Sequence, residues 1–222
     1  MILTIDGPAG TGKSSVAQAV AQELGFNFLD TGAMYRAVAL AALRDHADLN
    51  NNDLLGELAK SLRIDFDFKR VPPLLLLNDE PVTRQLRDEK TTQAASVIAQ
   101  SPAVRQVLVA HQQEIGRTHK NLVSEGRDQG SVVFPQAMYK FYLDATPAER
   151  ARRRAAQLEA RGESVDLQEL LNHILERDQR DSTRSSGPLK IPTGAIVIDT
   201  TELTQPQVIE RIVAAVRHRQ GV

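Results

Sequence analysis

The chain has 222 residues, 41% of them hydrophobic and 25% charged, which is typical of a soluble protein that buries a core. Its 27 Lys and Arg nearly balance 28 Asp and Glu, and this balance argues against binding a polymeric nucleic acid. The absence of cysteine excludes disulfides and thiolate ligands, and the five His lack metal-ligand spacing. No apolar run is long enough to span a membrane and no signal-peptide pattern is present, so we expect a cytoplasmic protein without a membrane partner.

The N-terminal segment carries the strongest motif. A short apolar run over residues 1–6 is typical of a buried parallel strand, and helical periodicity covers residues 14–24. Between them lies the P-loop pattern G-x-x-x-x-G-K-[ST], in which backbone amides surround phosphate oxygens, Lys13 reaches the β- and γ-phosphates and Ser14 holds Mg²⁺. The pattern predicts a nucleoside triphosphate site formed by Gly7, Pro8, Ala9, Gly10, Thr11, Gly12, Lys13, Ser14 and Ser15.

Further short apolar runs predict the other strands of the same sheet. They cover residues 26–30, 121–124, 138–143 and 195–198. We expect Thr31 to cap an Ala-rich buried helix over 32–44, and an amphipathic helix over 206–218 to end the chain. Strands that alternate with helices predict an α/β protein with five parallel strands in a doubly wound sheet.

Residues 60–90 interrupt this alternation. Arg63 to Phe68 alternates with period two, and Leu74 to Leu77 is followed by a turn over 78–81. We interpret the segment as a small antiparallel insert in the α/β domain. An irregular surface excursion is the alternative.

Two segments near the C-terminal half are rich in arginine. Thr146 and Pro147 predict the start of a helix that carries Arg150, Arg153 and Arg154 and ends near Gly162. With almost no apolar stripe, this helix is either a solvated basic face or a mobile lid, over about 150–162, that brings arginines onto the triphosphate.

A second helix is predicted from Asp166, with a buried stripe formed by Leu170, Leu171, Ile174 and Leu175. Arg177, Asp181 and Arg184 then follow at helical spacing on one face. Ion pairs within the helix explain them in structural terms. As phosphoryl transfer needs positive charge around two aligned substrates, a phosphate-binding role is the functional alternative, and Arg36 and Arg127 are candidates for the same role.

The chain resembles the bacterial cytidylate kinases, a family of nucleoside monophosphate kinases, over nearly its whole length. The resemblance rests on the motifs at Ile5–Ser14, Leu29–Arg36, Ser96, Pro102–Arg105, Glu125–Pro135 and Glu176–Arg184. At Gln129 the chain departs from the family pattern, where Ile or Met is common.

The resemblance implies a P-loop three-layer fold in one domain, residues 1–222, with a monophosphate-binding insert at about 60–90 and a lid at about 150–162. It assigns cytosine contacts to Ser96, Arg105 and Asp128, sugar contacts to Arg177 and Asp181, and the monophosphate clamp to Arg36, Arg127 and Arg184; Thr31 and Tyr35 complete the substrate set. Lys13, Arg127, Arg150 and Arg154 are the expected catalytic residues, with Ser14 as the Mg²⁺ ligand.

The predicted activity is transfer of phosphate from ATP to CMP or dCMP by a monomer whose ligands are nucleotides. No guanine-reading Asn/Thr-Lys-x-Asp motif is present, which argues against a GTPase switch. Two alternatives stay open: a kinase for another small acceptor, such as shikimate or gluconate, and an ATP-dependent binding switch without phosphoryl transfer.

Overall fold

The computed structural model describes residues 1–220, so residues 221 and 222 of the predicted domain lie outside it. The strands are β1 (Ile2–Asp6), β2 (Asn27–Asp30), β3 (Ile64–Asp67), β4 (Leu74–Leu77), β5 (Glu80–Pro81), β6 (Leu122–Gly126), β7 (Tyr139–Asp144) and β8 (Ile196–Asp199). The helices are α1 (Lys13–Leu24), α2 (Thr31–Arg44), α3 (Asn52–Ser61), α4 (Glu89–Ile98), α5 (Pro102–Thr118), α6 (Pro147–Glu159), α7 (Leu167–Thr183) and α8 (Gln205–Gln220).

The main sheet is parallel, with strand order β2-β6-β1-β7-β8, which confirms the predicted five-stranded sheet. Its strands are largely apolar because helices cover both faces. In the register of the central strands, Asp6 lies beside Gly126, and Asp30 lies beside Glu125. The loops that follow β1, β2 and β6 therefore begin side by side at one edge of the sheet.

Two apolar clusters, one on each face of the sheet, form the core. Met34 and Val38 of α2 pack in the first cluster together with residues of α4 and α5. Val16 of α1 and Ile212 of α8 pack in the second. Adjacent strand residues point to opposite clusters, as alternation along a strand requires. The result is the predicted three-layer α/β arrangement.

The insert forms a separate antiparallel sheet with strand order β3-β4-β5, so the antiparallel prediction is also confirmed. Leu75 and Leu77 are buried against the first apolar cluster. Asn78 and Asp79, both at positive φ, form the two-residue turn between β4 and β5. Asn and Asp are favoured in such turns because they tolerate this backbone conformation.

Two local predictions were wrong. Asp30 rather than Thr31 caps α2, because the Asp30 carboxylate accepts a hydrogen bond from the Ala33 N–H. The Thr31 hydroxyl donates instead to the Glu125 carbonyl, 2.7 Å away. In α7, Ile174 is buried but Leu175 is 46% exposed, so the predicted apolar stripe is not a buried one. The buried residues of α7 are Ile174 and Asp181, and Asp181 lines the cleft. No helix within residues 1–220 has the length and apolar character needed to cross a membrane.

Candidate active site

A cleft of about 910 Å³ opens at the carboxyl edge of the main sheet. Ligands bind at this edge in open α/β sheets because the loops after neighbouring strands converge there. Most predicted site residues line the cleft: Ala9, Gly10, Thr11, Gly12, Lys13, Ser14, Ser15, Thr31, Tyr35, Arg36, Ser96, Arg105, Arg127, Asp128, Arg154, Arg177, Asp181 and Arg184. Gly7, Pro8 and Arg150 do not line it.

The glycine-rich loop between β1 and α1 has the backbone conformation that its sequence suggests. Gly10 and Gly12 have φ values of 84° and 85°, in the left-handed region that glycine adopts readily. At Gly7 a Cβ atom would lie 2.0 Å from the Leu143 carbonyl oxygen, so a side chain cannot be accommodated. The loop therefore packs closely on β7 and leads directly into the N-terminus of α1, where helix amides favour an anion.

Lys13 is buried at the base of this loop. Its Nζ donates to the Pro8 carbonyl, 2.6 Å away, and lies 3.4 Å from the Thr11 hydroxyl. Burial, and then the positive charge of Arg127, lower the pKa of Lys13 to about 7. No carboxylate among the described residues forms an ion pair with the ammonium group, although Glu125 and Asp181 partly offset the lowering of its pKa. An anion that entered the cleft would stabilise the charged form.

Glu125 is a site residue that sequence reasoning missed. It is the penultimate residue of the fully buried strand β6, and its carboxylate accepts a 2.6 Å hydrogen bond from the Ser14 hydroxyl. Burial, and then the nearby Asp30, raise the pKa of Glu125. Its position before Arg127, at the carboxyl end of a strand, was the sequence signal that could have identified it.

The arginines of the far side of the cleft are paired differently from the prediction. Arg127 Nε donates to Asp181 Oδ2 at 2.8 Å, whereas the buried Arg177 Nε has no hydrogen-bond partner among residues 1–220. Of the ion pairs within the helix that the spacing suggested, Arg184–Asp181 is present at 3.9 Å, and none joins Arg177 to Asp181 in the described part of the chain. Burial and the adjacent Arg127 lower the pKa of Arg177 to about 10.

Arg36 and Arg184 extend this cationic surface. Arg36 lines the cleft and pairs with Asp30 at 2.8 Å, and both side chains are partly exposed. Arg184 Nε donates to the Gly187 carbonyl at 2.6 Å, and its Nη1 lies 3.9 Å from Asp181. Its buried Nη2 lies 3.8 Å from Asp128 Oδ1 and makes no hydrogen bond among the described residues. Unpartnered buried donors in a cleft indicate a ligand that would satisfy them.

Arg105 and Asp128 form a buried ion pair at the end of the cleft next to α4 and α5. Arg105 also donates to the Tyr35 hydroxyl at 3.1 Å and to the Ser186 hydroxyl at 3.3 Å. Ser96, on the adjacent helix α4, has a buried hydroxyl that makes no hydrogen bond within residues 1–220. The three residues that the resemblance implied for base recognition line one cleft.

Arg150 occupies a position that the lid prediction did not anticipate. Its buried guanidinium donates to the Ala145 carbonyl at 3.0 Å, to the Ala9 carbonyl at 3.0 Å and to Asp178 at 2.5 Å. The side chain thus supports the outer side of the glycine-rich loop and has no free face towards the cleft. The neighbouring Arg152, Arg153 and Arg154 all line the cleft, and Arg152 and Arg153 both donate to Glu149.

The parallel sheet, the glycine-rich loop after β1 and the facing cationic surfaces define a kinase of the P-loop class. Among solved structures, the fold is similar to a gluconokinase from Sinorhizobium meliloti 1021, at 15% identity and a TM-score of 0.52 over 98% of this chain and 91% of that one. It is also similar to shikimate kinase from Bacteroides thetaiotaomicron, at 15% identity and a TM-score of 0.50 over 100% of this chain and 99% of that one. At this identity the likeness shows the fold alone.

The chain belongs to the cytidylate kinase family, whose model matches residues 3–218. It is 46% identical to the cytidylate kinase of Caldanaerobacter subterraneus subsp. tengcongensis over 97% of this chain and 94% of that protein. It is 44% identical to the cytidylate kinase of Stutzerimonas stutzeri over 98% of this chain and 96% of that protein. The family resemblance noted in the sequence is thereby confirmed.

Proposed function

We propose that the protein transfers the γ-phosphoryl group of ATP to CMP or dCMP, giving ADP and CDP or dCDP. The observation that carries the proposal is that two cationic surfaces face one cleft: the glycine-rich loop with Lys13, and the arginines at the ends of β6 and α7. Two anionic substrates can therefore lie end to end in it. Family membership gives the nucleotide that the second surface would hold.

The donor side is formed by the glycine-rich loop. Its amides and the N-terminus of α1 would hold the triphosphate, and Lys13 would stabilise charge that develops on the transferred group. Ser14 and Glu125 offer hard oxygen donors 2.6 Å apart beside this loop, a donor set that suits Mg²⁺. Ser14 would hold this ion, which when bound neutralises charge on the phosphate oxygens.

The acceptor side is formed by arginines from three elements: α2, the end of β6 and the end of α7. Arg36, Arg127 and Arg184 would hold the monophosphate, and their planar guanidinium groups suit phosphate oxygens. Arg127 occupies Oδ2 of Asp181, so Oδ1 could accept a hydrogen bond from a ribose hydroxyl. Arg177 would lie beside the same sugar. Thr31 would fix the start of α2 through its hydrogen bond to the Glu125 carbonyl.

The chemistry needs alignment and charge stabilisation more than proton transfer. The acceptor atom is an oxygen of an ionised phosphate, so no side chain has to remove a proton from it. Arginines on both sides hold the reacting oxygens in line, which lowers the entropic part of the barrier. We assign Arg154 of α6 to the transferred group, because it lines the cleft while Arg152 and Arg153 are paired with Glu149.

A coupled assay of ADP release with a panel of acceptors tests the proposal. CMP and dCMP should be turned over far faster than UMP, AMP and GMP, and shikimate and gluconate should give no ADP. Activity confined to shikimate or gluconate would favour a kinase for another small acceptor. Tight ATP binding without turnover of any acceptor would favour a nucleotide-dependent switch.

The proposed function also carries expectations about oligomeric state, cellular location and nucleic-acid binding. We expect a cytoplasmic monomer that binds nucleotides and no polymeric nucleic acid. Sedimentation of the purified protein and fractionation of cells test the first two expectations. A filter-binding assay with DNA and RNA tests the third.

A further inference from the structure

Asp6, the last residue of β1, holds the backbone that follows β6. Its side chain is fully buried, and each carboxylate oxygen accepts one backbone hydrogen bond of 2.7 Å, Oδ1 from the Gln129 N–H and Oδ2 from the Gly130 N–H. Hydrogen bonds to an ionised group are stronger than those between neutral groups. The contact therefore fastens a segment that lies 123 positions away in the chain to the end of β1.

This contact fixes the peptide unit between Asp128 and Gln129. The N–H of the unit donates to Asp6, and its carbonyl accepts a 2.9 Å hydrogen bond from the Val132 N–H at the start of a short helical turn. Since a peptide unit is planar, a hydrogen bond at each polar end holds it in one orientation. Asp6 thereby sets the position of the Asp128 α-carbon and the direction in which its side chain leaves the backbone.

Gly130 permits the close approach of this segment to β1. A Cβ atom at Gly130 would lie 2.8 Å from the Thr4 hydroxyl oxygen and 3.0 Å from Pro192 Cγ. Thr4 and Asp6 are two positions apart in β1, so their side chains extend from the same face of the sheet. A side chain at position 130 would therefore displace the backbone N–H from the Asp6 carboxylate.

The fastened segment directly follows two residues of the proposed acceptor side. Arg127 and Asp128 both line the cleft, and each forms an ion pair with a residue of a helix. In the other direction, Asp6 is followed by Gly7, the first residue of the glycine-rich loop. One buried carboxylate thus connects the start of the donor loop to the residues that would hold the acceptor.

We propose that Asp6 is a positioning residue for the acceptor nucleotide, whose carboxylate fixes Arg127 and Asp128 in the cleft and sets their distance from the glycine-rich loop. The inference rests on the proposed function and adds a residue that does not itself line the cleft. Arg127 can hold the acceptor phosphate in line only if its backbone keeps this position. Misplacement of a reacting group by about 1 Å can cost roughly 100-fold in rate.

Asp6→Asn tests the two hydrogen bonds while it keeps the shape of the side chain. An amide has a single oxygen, so one backbone N–H would face its NH₂ group whichever way the amide is turned. At saturating ATP, we expect kcat/KM for CMP to fall about tenfold or more, the effect of losing a hydrogen bond to a charged group. The CMP:UMP ratio should also narrow, because Asp128 would no longer be held against the base.

Binding of ATP separates this role from a general structural one. Both hydrogen bonds of the Asp6 side chain go to the segment after β6, so the dissociation constant for ATP should be unchanged in Asp6→Asn while that for CMP rises. Isothermal titration calorimetry with each nucleotide measures both constants. Asp144→Asn is the matched control: Asp144 ends β7, the other neighbour of β1, and accepts only the Ala145 N–H, at 2.9 Å, which an amide oxygen can also accept.

Gly130→Ala tests the same contact from its other partner and carries the test if Asp6→Asn does not fold, as thermal unfolding would reveal. It should raise the dissociation constant for CMP and leave that for ATP unchanged. Combined in one protein, the two substitutions should lower kcat/KM for CMP no further than the stronger one alone, because they break one contact.

A folded variant with the wild-type kcat/KM for CMP would overturn the inference. Equal losses of affinity for ATP and CMP would also overturn it, since they indicate a structural role. A wild-type protein that turns over no CMP would instead overturn the proposed function, and this inference with it.

Discussion

Arg127 and Asp181 form a close ion pair, with 2.8 Å between Arg127 Nε and Asp181 Oδ2, although 54 positions separate them in the chain. The pair joins the end of β6 to α7. Arg184 lies 3.9 Å from the same carboxylate, and Arg177 is also attracted to it. Asp181 therefore balances much of the positive charge that gathers at this end of the cleft.

Replacement of this carboxylate should weaken binding of the acceptor. In Asp181→Ala, Arg127, Arg177 and Arg184 would repel one another, and a contact to the ribose would be lost. Since hydrogen bonds to charged groups are worth about 1.5–3 kcal/mol, we expect the KM for CMP to rise at least tenfold. Steady-state kinetics with CMP varied at saturating ATP measures this.

The stability of Asp181→Ala provides the internal control. Its melting temperature should be low without ligand and should recover with inorganic phosphate more than that of the wild type, because an anion replaces the missing charge. A KM for CMP within twofold of the wild-type value, in a folded variant, would assign Asp181 to helix stabilisation.

Lys13→Ala should affect the two substrates differently. Lys13 contacts the glycine-rich loop, with its Nζ 2.6 Å from the Pro8 carbonyl, and no residue of the acceptor surface is within hydrogen-bond distance of it. We expect most activity to be lost while the affinity for CMP largely survives. Isothermal titration calorimetry with ATP and with CMP measures the two affinities. A loss of CMP affinity equal to the loss of ATP affinity would contradict the assignment of Lys13 to the donor side alone.

The pH dependence of ATP use should report the Lys13 ammonium group. Its pKa is lowered to about 7, chiefly by burial, so the charged form predominates below pH 7 and is lost as the pH rises. We expect kcat/KM for ATP to fall above about pH 7, since this parameter reports the free enzyme. Lys13→Arg keeps the charge and should lose this limb of the profile; an identical limb in both proteins would assign the titration to another group.

Arg150 should act by support of the loop rather than by contact with the transferred group. Removal of one member of a buried ion pair costs about 3–5 kcal/mol, so Arg150→Met should lower the melting temperature and raise the KM for ATP. Arg154→Met should lower kcat without a change in melting temperature. A normal melting temperature for Arg150→Met, together with a large loss of kcat, would restore the catalytic role that the sequence suggested.

The sequence predicted the sheet because its strands are local apolar runs, and the P-loop because its glycines and Lys13 are consecutive. Contacts between residues that are far apart in the sequence could not be predicted from local patterns. Helical spacing showed that Arg177 and Asp181 share a face of α7, but the closest partner of Asp181 is Arg127, which arrives from β6.

The same reason explains Glu125 and Arg150. Ser14 and Glu125 are 111 positions apart, and their contact exists because β1 and β6 are neighbours in the sheet. Arg150 was expected on a solvated or mobile helix because α6 has few apolar residues. Its burial follows from the carbonyl groups of Ala9 and Ala145 and from Asp178, which together satisfy its donors.

The final prediction concerns Asp128, which is buried and paired with Arg105 in the cleft that Ser96 also lines. Cytosine has an amino donor at C4 and an acceptor at N3, whereas uracil has an acceptor at O4 and a donor at N3. A carboxylate can accept from the cytosine amino group while a guanidinium donates to N3 or O2. Uracil would set an acceptor against the carboxylate and a donor against the guanidinium.

Because such a mismatch leaves charged groups unpaired in a shielded site, CMP should exceed UMP in kcat/KM by well over tenfold in the wild type. Asp128→Asn keeps the shape, but its amide can turn and donate to uracil O4. The CMP:UMP ratio should therefore narrow, mainly through loss of CMP activity, when both acceptors are measured at saturating ATP. If the overall rate drops but the ratio stays constant, Asp128 serves to hold Arg105 and Arg184 in place, and cytosine is recognised by other residues of the cleft.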